Sequence, residues 1–155
     1  MRLVVAHDYP SRRMFFRKLA PFAVLLAIAC GKIKEPTDPG AGAGEPIDPT
    51  ATLTRVQNEI FTPTCGQLGC HDSLGRQESL ILTSGRAYGM TVGVASLETP
   101  NLMRVSPGDP SNSYLYRKIT GAGITGDRMP QGGPYLNDAQ IKLVRDWIRR
   151  GAPND

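Results

Sequence analysis

Cys65-Gly66-Gln67-Leu68-Gly69-Cys70-His71 sets two thiols and an imidazole within seven residues. Thiolate and imidazole are ligands for soft and borderline metals, and two thiols can also pair with each other. Gly66 and Gly69 leave the four-residue spacer free to bulge, so both sulfurs can be presented to one target. A segment of this kind supplies a small domain with either a covalent staple or a cofactor anchor, and its fold is built around whichever it is. The compartment the chain enters bears on the choice, and the leader indicates that compartment.

Residues 1–30 have the form of a targeting segment. Arg12, Arg13, Arg17 and Lys18 precede an apolar run from Leu19 to Ala29, which ends in small residues and a cysteine. The run is short for a bilayer span. Ala27-Ile28-Ala29-Cys30 resembles a bacterial lipobox, in which Cys30 is acylated and becomes the mature N-terminus; a plain cleaved signal or an uncleaved anchor is the alternative. Ser11-Arg12-Arg13-Met14-Phe15-Phe16-Arg17 also matches the twin-arginine export pattern, unless Met14 is the true start and the arginine pair lies upstream of it. Each of these routes leads out of the cytoplasm, where an unprotected thiol pair oxidises.

The chain carries 18 Lys and Arg against 14 Asp and Glu. Residues 1–29 hold five of the cations and one of the acids, so from Cys30 onward the two signs balance at 13 each. No basic face remains to bind nucleic acid. His7 falls in the leader, which leaves His71 as the sole imidazole of the mature protein. With Cys30 lipidated, Cys65 and Cys70 are its two thiols. Residues 31–52 are rich in Pro and Gly and poor in large apolar side chains, and read as a disordered tether behind a lipid anchor. Residues 53–155 then form one small domain with a modest core.

Within that domain the periodic signals are helical. Val56, Ile60 and Phe61 stand at three-to-four spacing directly upstream of the motif, with Pro63 expected to stop the helix. After the turn Pro107-Gly108-Asp109-Pro110, Ser111 is the expected N-cap of a short helix over 113–119, with Leu115 and Ile119 on one face. The last helix is the best specified: Asn137 caps it, Gln140 answers in a capping box, Ile141, Val144, Trp147 and Ile148 make one apolar stripe, and Gly151 ends it. Leu80-Ile81-Leu82 and 90–94 are short apolar pieces compatible with a strand or a helical turn. Ser106, Ser111 and Ser113 belong to turns and caps and have no base near them in sequence.

Adjacent Cys and His after a first Cys is also the pattern by which haem c is attached, through two thioethers and a proximal imidazole. The commonest form has two residues between the cysteines; here there are four. A sixth iron ligand must come from elsewhere, and the mature chain offers Met90, Met103 and Met129. Met129 is best placed, in the irregular loop Arg128-Met129-Pro130-Gln131-Gly132-Gly133-Pro134 just before the last helix. It follows His71 by 58 positions.

Taken in order, these features resemble the small bacterial cytochrome c domains often called planctomycete cytochrome c. They are the helix into Cys65 to His71, Leu80-Ile81-Leu82, Val105-Ser106-Pro107-Gly108-Asp109-Pro110 with Ser113-Tyr114-Leu115, Arg128-Met129-Pro130, and Ile141 through Trp147-Ile148 to Gly151-Ala152. The resemblance spans nearly all of 53–155 and departs from the family in the long spacer. It implies a mainly α fold, a cytochrome c-like helical domain with long loops. It also implies one haem c bound by Cys65 and Cys70 and ligated by His71 and Met129, and an electron carrier rather than an enzyme. Leu68, Leu82, Leu115, Ile119, Tyr135 and Trp147 are the expected pocket residues. The expected setting is the periplasmic side of a membrane, held by the Cys30 anchor and meeting a redox protein partner. The competing reading is a haem-free lipoprotein of similar fold, stapled by a Cys65–Cys70 disulfide and serving in binding or structure. Zinc ranks below both, because a closed site would have to enlist a carboxylate such as Asp72. A peroxidase-like activity is a third possibility.

Overall fold

The computed structural model describes residues 44–155. The leader, Cys30 and the tether as far as residue 43 lie outside the described residues. The described part is mainly helical, with no β-strand among the described residues and only isolated bridges such as Val92 with Val105 and Met103 with Ser113. Four α-helices carry the frame: α1 (Leu53–Val56), α2 (Ala87–Thr91), α3 (Tyr114–Thr120) and α4 (Asp138–Arg149). Long loops join them.

Thr52 caps α1 by accepting the Arg55 N–H on its hydroxyl. Pro63 does not stop the chain there, contrary to the expectation from sequence. α1 passes directly into a π-helical stretch, Gln57–Cys65, that contains Pro63 and ends where the Gly66 N–H meets the Phe61 carbonyl at 2.7 Å. A proline lacks the N–H of an i→i−4 bond and its ring collides with that carbonyl; a wider turn relieves the collision, so the helix continues with altered pitch. The result delivers Cys65 to the end of a helix that buries Gln57, Ile60 and Phe61, rather than to a free loop.

α4 forms as the sequence predicts. Asn137 accepts the Gln140 N–H and Gln140 accepts the Asn137 N–H, closing the capping box. Its far end closes with Gly151 N–H on Ile148 O and Ala152 N–H on Trp147 O, a Schellman pair made possible by Gly151 at φ 95°. The helix packs on both α1 and α3. Val144, Trp147 and Ile148 are wholly buried against Val56, Ile60, Phe61 and Val105. The Trp147 indole N–H donates to Pro153 O at 2.9 Å, so its polar atom is satisfied in the core. Trp147→Ala is expected to cost about 3–5 kcal/mol in urea unfolding; a loss below about 1 kcal/mol, the range of an exposed position, would contradict this account of the core.

Two sequence expectations need correction. The N-cap position of α3 is held by Ser113, not Ser111, and its hydroxyl makes no capping bond to the helix. Ser113 is buried, accepts the Ser106 N–H and donates to Asp109 O, which knits the preceding turn shut, whereas Ser111 donates to the Asp109 carboxylate at the surface. The last residues of the expected tether, 44–52, lie against α4. Asp48 N–H donates to the Asp146 carboxylate, Arg145 reaches Glu45 at 2.6 Å, and Ala51 is buried. Leu80-Ile81-Leu82 is an extended, non-strand segment, and of 90–94 the first two residues close α2.

Candidate functional site

The loop from Cys65 to Leu82 is tied internally by its own backbone. His71 N–H donates to Cys65 O at 3.1 Å, Cys70 N–H to Gln67 O at 3.0 Å, and Leu82 N–H to His71 O at 2.7 Å. The spacer thus folds into a turn between the two cysteines. Asp72 fixes its outer side, accepting the N–H groups of Gly69 and Gly75 on one carboxylate oxygen at 3.3 and 2.6 Å. Those backbone donors hold the Asp72 carboxyl below its usual range, Gly75 foremost. Gly75 is required by the close approach, since a Cβ there would lie 2.5 Å from the Gly69 carbonyl carbon. One oxygen of Asp72 is therefore committed to the loop's backbone. Among the described residues no group of three or more His, Cys, Asp or Glu side chains is arranged to hold a metal.

Both Cys65 and Cys70 are free thiols. Cys65 is half-buried and packs on the core; burial, helped by the neighbouring Cys70, pushes its thiol up to about 12. Cys70 is exposed on the outside of the turn.

Behind the loop lies a cavity of about 320 Å³. Cys65, His71 and Met129 all line it, together with apolar side chains that include Phe61, Leu82, Leu115 and Ile119. Of the three candidate methionines, Met129 is the one on this wall; Met103 is exposed at the surface and Met90 lies within α2. Met129 is fixed by its N–H on Lys118 O at 2.8 Å. The neighbouring Arg128 donates to Ile119 O and stacks its guanidinium 4.3 Å from the centre of the Tyr135 ring, so the methionine loop is pinned on α3.

His71 has the attributes of a metal-binding imidazole. Nδ1 lies 3.2 Å from the Gln77 carbonyl, and a proton on Nδ1 leaves Nε2 as the ring's lone-pair nitrogen. Burial lowers the affinity of the ring for a second proton, nearby Arg104 and Lys118 lower it further, and the Leu80 and Gln77 carbonyls only partly oppose them. The imidazole is accordingly neutral at neutral pH, the form that ligates.

The expected pocket residues divide. Leu82, Leu115 and Ile119 line the cavity as foreseen. Leu68 is 80 % exposed and Tyr135 51 % exposed, because the spacer turns its leucine outward and Tyr135 serves the Arg128 stack instead. Trp147 faces the core, not the cavity. The sequence reading missed Gln77, Arg104 and Lys118 on this wall. Lys118 pairs with Glu98 at 3.1 Å and donates to Thr125 O, a partly buried arrangement whose partners are too distant in sequence to be seen as a motif.

The donor set suits haem c chemically. It comprises two thiols at the ends of one turn, of which Cys65 lines the cavity and Cys70 is exposed, an oriented neutral imidazole, a thioether and a lining of apolar side chains interrupted by Arg104 and Lys118. No family model matches the chain, and no curated protein or solved structure matches it.

Proposed function

We propose that this protein is an exported electron carrier with a cytochrome c-like fold and one haem c. In this reading Cys65 and Cys70 would hold the porphyrin as thioethers, and His71 and Met129 would ligate its iron. The observation that carries the reading is that His71 and Met129, 58 positions apart in sequence, line one cavity together with Cys65, whose wall is part apolar and part charged. A random pair of surface residues has no reason to meet there.

The haem would supply a one-electron couple, and the chain's own residues would govern it. Gln77 O holds the His71 ring by Nδ1. The Lys118 and Arg128 contacts fix the Met129 loop against α3, so the thioether does not drift on a change of charge. Leu82, Leu115, Ile119 and Phe61 keep water from the centre, which lowers the reorganisation that each electron transfer demands. An iron ligated by both His71 and Met129 would offer no open position to a substrate, which favours a carrier over a catalyst. The leader, the Cys30 lipobox and the residues that follow it support export and a lipid anchor on the periplasmic side, with a redox protein as partner.

Intact mass and a pyridine haemochrome spectrum test this on the full chain made in a cytochrome-maturing host. The expected result is one covalent haem and a Soret band. A mass two hydrogens short of the reduced polypeptide, with no Soret band, would overturn it in favour of the disulfide-stapled, haem-free lipoprotein.

A further inference from the structure

Arg104 is a buried cation, 7 % exposed, on the wall of the cavity that holds His71 and Met129. Its two terminal nitrogens each donate to a backbone carbonyl: Nη1 to Met90 O and Nη2 to Glu78 O, both at 2.8 Å. A planar guanidinium offers these donors in a fixed fork, so the two carbonyls are held at a set separation. Arg104 itself is anchored by its own N–H on Val94 O and its carbonyl on Leu115 N–H.

The segment it grips cannot hold its shape by local preference. Arg76, Glu78 and Ser79 all stand at positive φ, 44°, 53° and 52°, a left-handed region that side chains with a Cβ disfavour. Three such residues in four positions persist only where the surroundings over-determine them. Gln77 sits among them. Its N–H donates to Cys70 O at 3.1 Å, and its carbonyl receives both Leu80 N–H at 3.0 Å and the His71 ring at Nδ1.

We propose that Arg104 is a positioning residue for His71. By clamping the Glu78 carbonyl to the Met90 carbonyl, it holds the 76–79 turn in the strained shape that sets the Gln77 carbonyl against the imidazole Nδ1–H. The clamp fixes both the tautomer and the plane of the ring, and it does so from outside the Cys65–His71 segment. Lysine at this position keeps the charge and loses the fork. Only the use made of the freed Nε2 rests on the haem reading; the clamp itself does not.

The test is the His71 Nδ1–H signal in the full chain, made in the haem-maturing host with ¹⁵N-labelled histidine and reduced to the diamagnetic state. His7 signals, where present, are removed by His7→Gln. In the unsubstituted protein the Nδ1–H is expected to be protected from exchange with water. Arg104→Gln and Arg104→Lys are both expected to lose that protection while keeping covalent haem. Lys118→Gln, which removes the other cation of the wall and leaves the fork intact, is expected to keep it. Protection retained in both Arg104 variants, or lost equally in Lys118→Gln, would overturn the proposal. Arg104→Lys alone decides the matter if Arg104→Gln does not fold. Should the chain carry no haem, the same spectrum reads the tautomer and exchange of the free imidazole, so failure of the haem reading and failure of the clamp are seen separately.

Discussion

Met129→Ala in the haem-loaded protein is expected to abolish the near-infrared absorption that arises from sulfur-to-iron charge transfer, while haem stays covalently attached. The same substitution should let the reduced protein bind carbon monoxide. Both effects follow from the cavity. Met129 is the methionine on its wall, and Met90 and Met103 are held elsewhere by α2 and by the bridges of residue 103, so neither can substitute. The loop should survive the change, because its anchors are the Met129 N–H on Lys118 O and the Arg128 contacts, which alanine leaves in place. Met129 is only half-buried, so the stability lost should fall at or below the low end of the about 2–5 kcal/mol typical of a buried Met→Ala change. A near-infrared band that is unchanged would disprove the ligand assignment. Carbon monoxide binding by the unsubstituted reduced protein would instead point to an open iron and a peroxidase-like activity.

What could be read in advance was what is encoded locally. α4 announces itself in Asn137, Gln140, an apolar stripe and Gly151, all within 15 residues, and each signal acts over a single turn. His71 stood out as the sole imidazole of the mature chain and Met129, among three methionines, by its irregular loop ahead of the last helix; both line the cavity. Pro63 misled because a proline forbids the ordinary helical bond but tolerates a wider turn, and nothing local says which the chain will choose. Ser111 and Ser113 are equally good caps in sequence; the choice falls to Ser113, whose hydroxyl can reach both Ser106 and Asp109. Arg104 and Lys118 were invisible as functional or structural charges, because the groups that justify their burial lie up to 26 residues away, and the part of the Asp146 network that reaches beyond α4 is more distant still. Asp48 meets Asp146 across 98 positions and Glu45 meets Arg145 across 100. Composition correctly marks 44–52 as poor in large apolar residues, yet the Glu45 ion pairs, the Asp48 N–H bond to Asp146 and the burial of Ala51 hold it on α4.

Asp146→Ala is expected to be the most damaging single change outside the apolar core. The carboxylate is wholly buried in the middle of α4. It accepts from Lys142, from Arg145 Nε at 3.1 Å and from Asp48 N–H at 3.1 Å, with Arg149 at 3.8 Å. Glu45 closes the network from the other side, 2.6 Å from Arg145 and 3.5 Å from Lys142. Asp146 and Arg145 are the network's buried members, while Lys142 and Glu45 are partly exposed; removing Asp146 takes the fully buried anion from Arg145 and leaves it paired with Glu45 alone. The cost at neutral pH is expected to be about 3–5 kcal/mol, a large share of the about 5–15 kcal/mol that a domain of this size has in total. The acid limb carries a second signature. Burial pushes the Asp146 carboxyl up, but the Lys142 ammonium, the Asp48 N–H and the Arg145 guanidinium outweigh it and hold the group below the ordinary range. A carboxyl depressed in the folded state contributes stability that is complete above its unfolded value, near about 3.9, and is lost as pH falls through the folded value. The difference in stability between the unsubstituted protein and Asp146→Ala should therefore be full at pH 7 and shrink in strong acid. Urea unfolding at a series of pH values measures it, and limited proteolysis should show cleavage near 44–52 in the variant, since that segment loses the bond from Asp48. A difference below about 1 kcal/mol at pH 7, the size of a surface ion pair, would mean that the network is screened by solvent and that 44–52 is held by something other than α4.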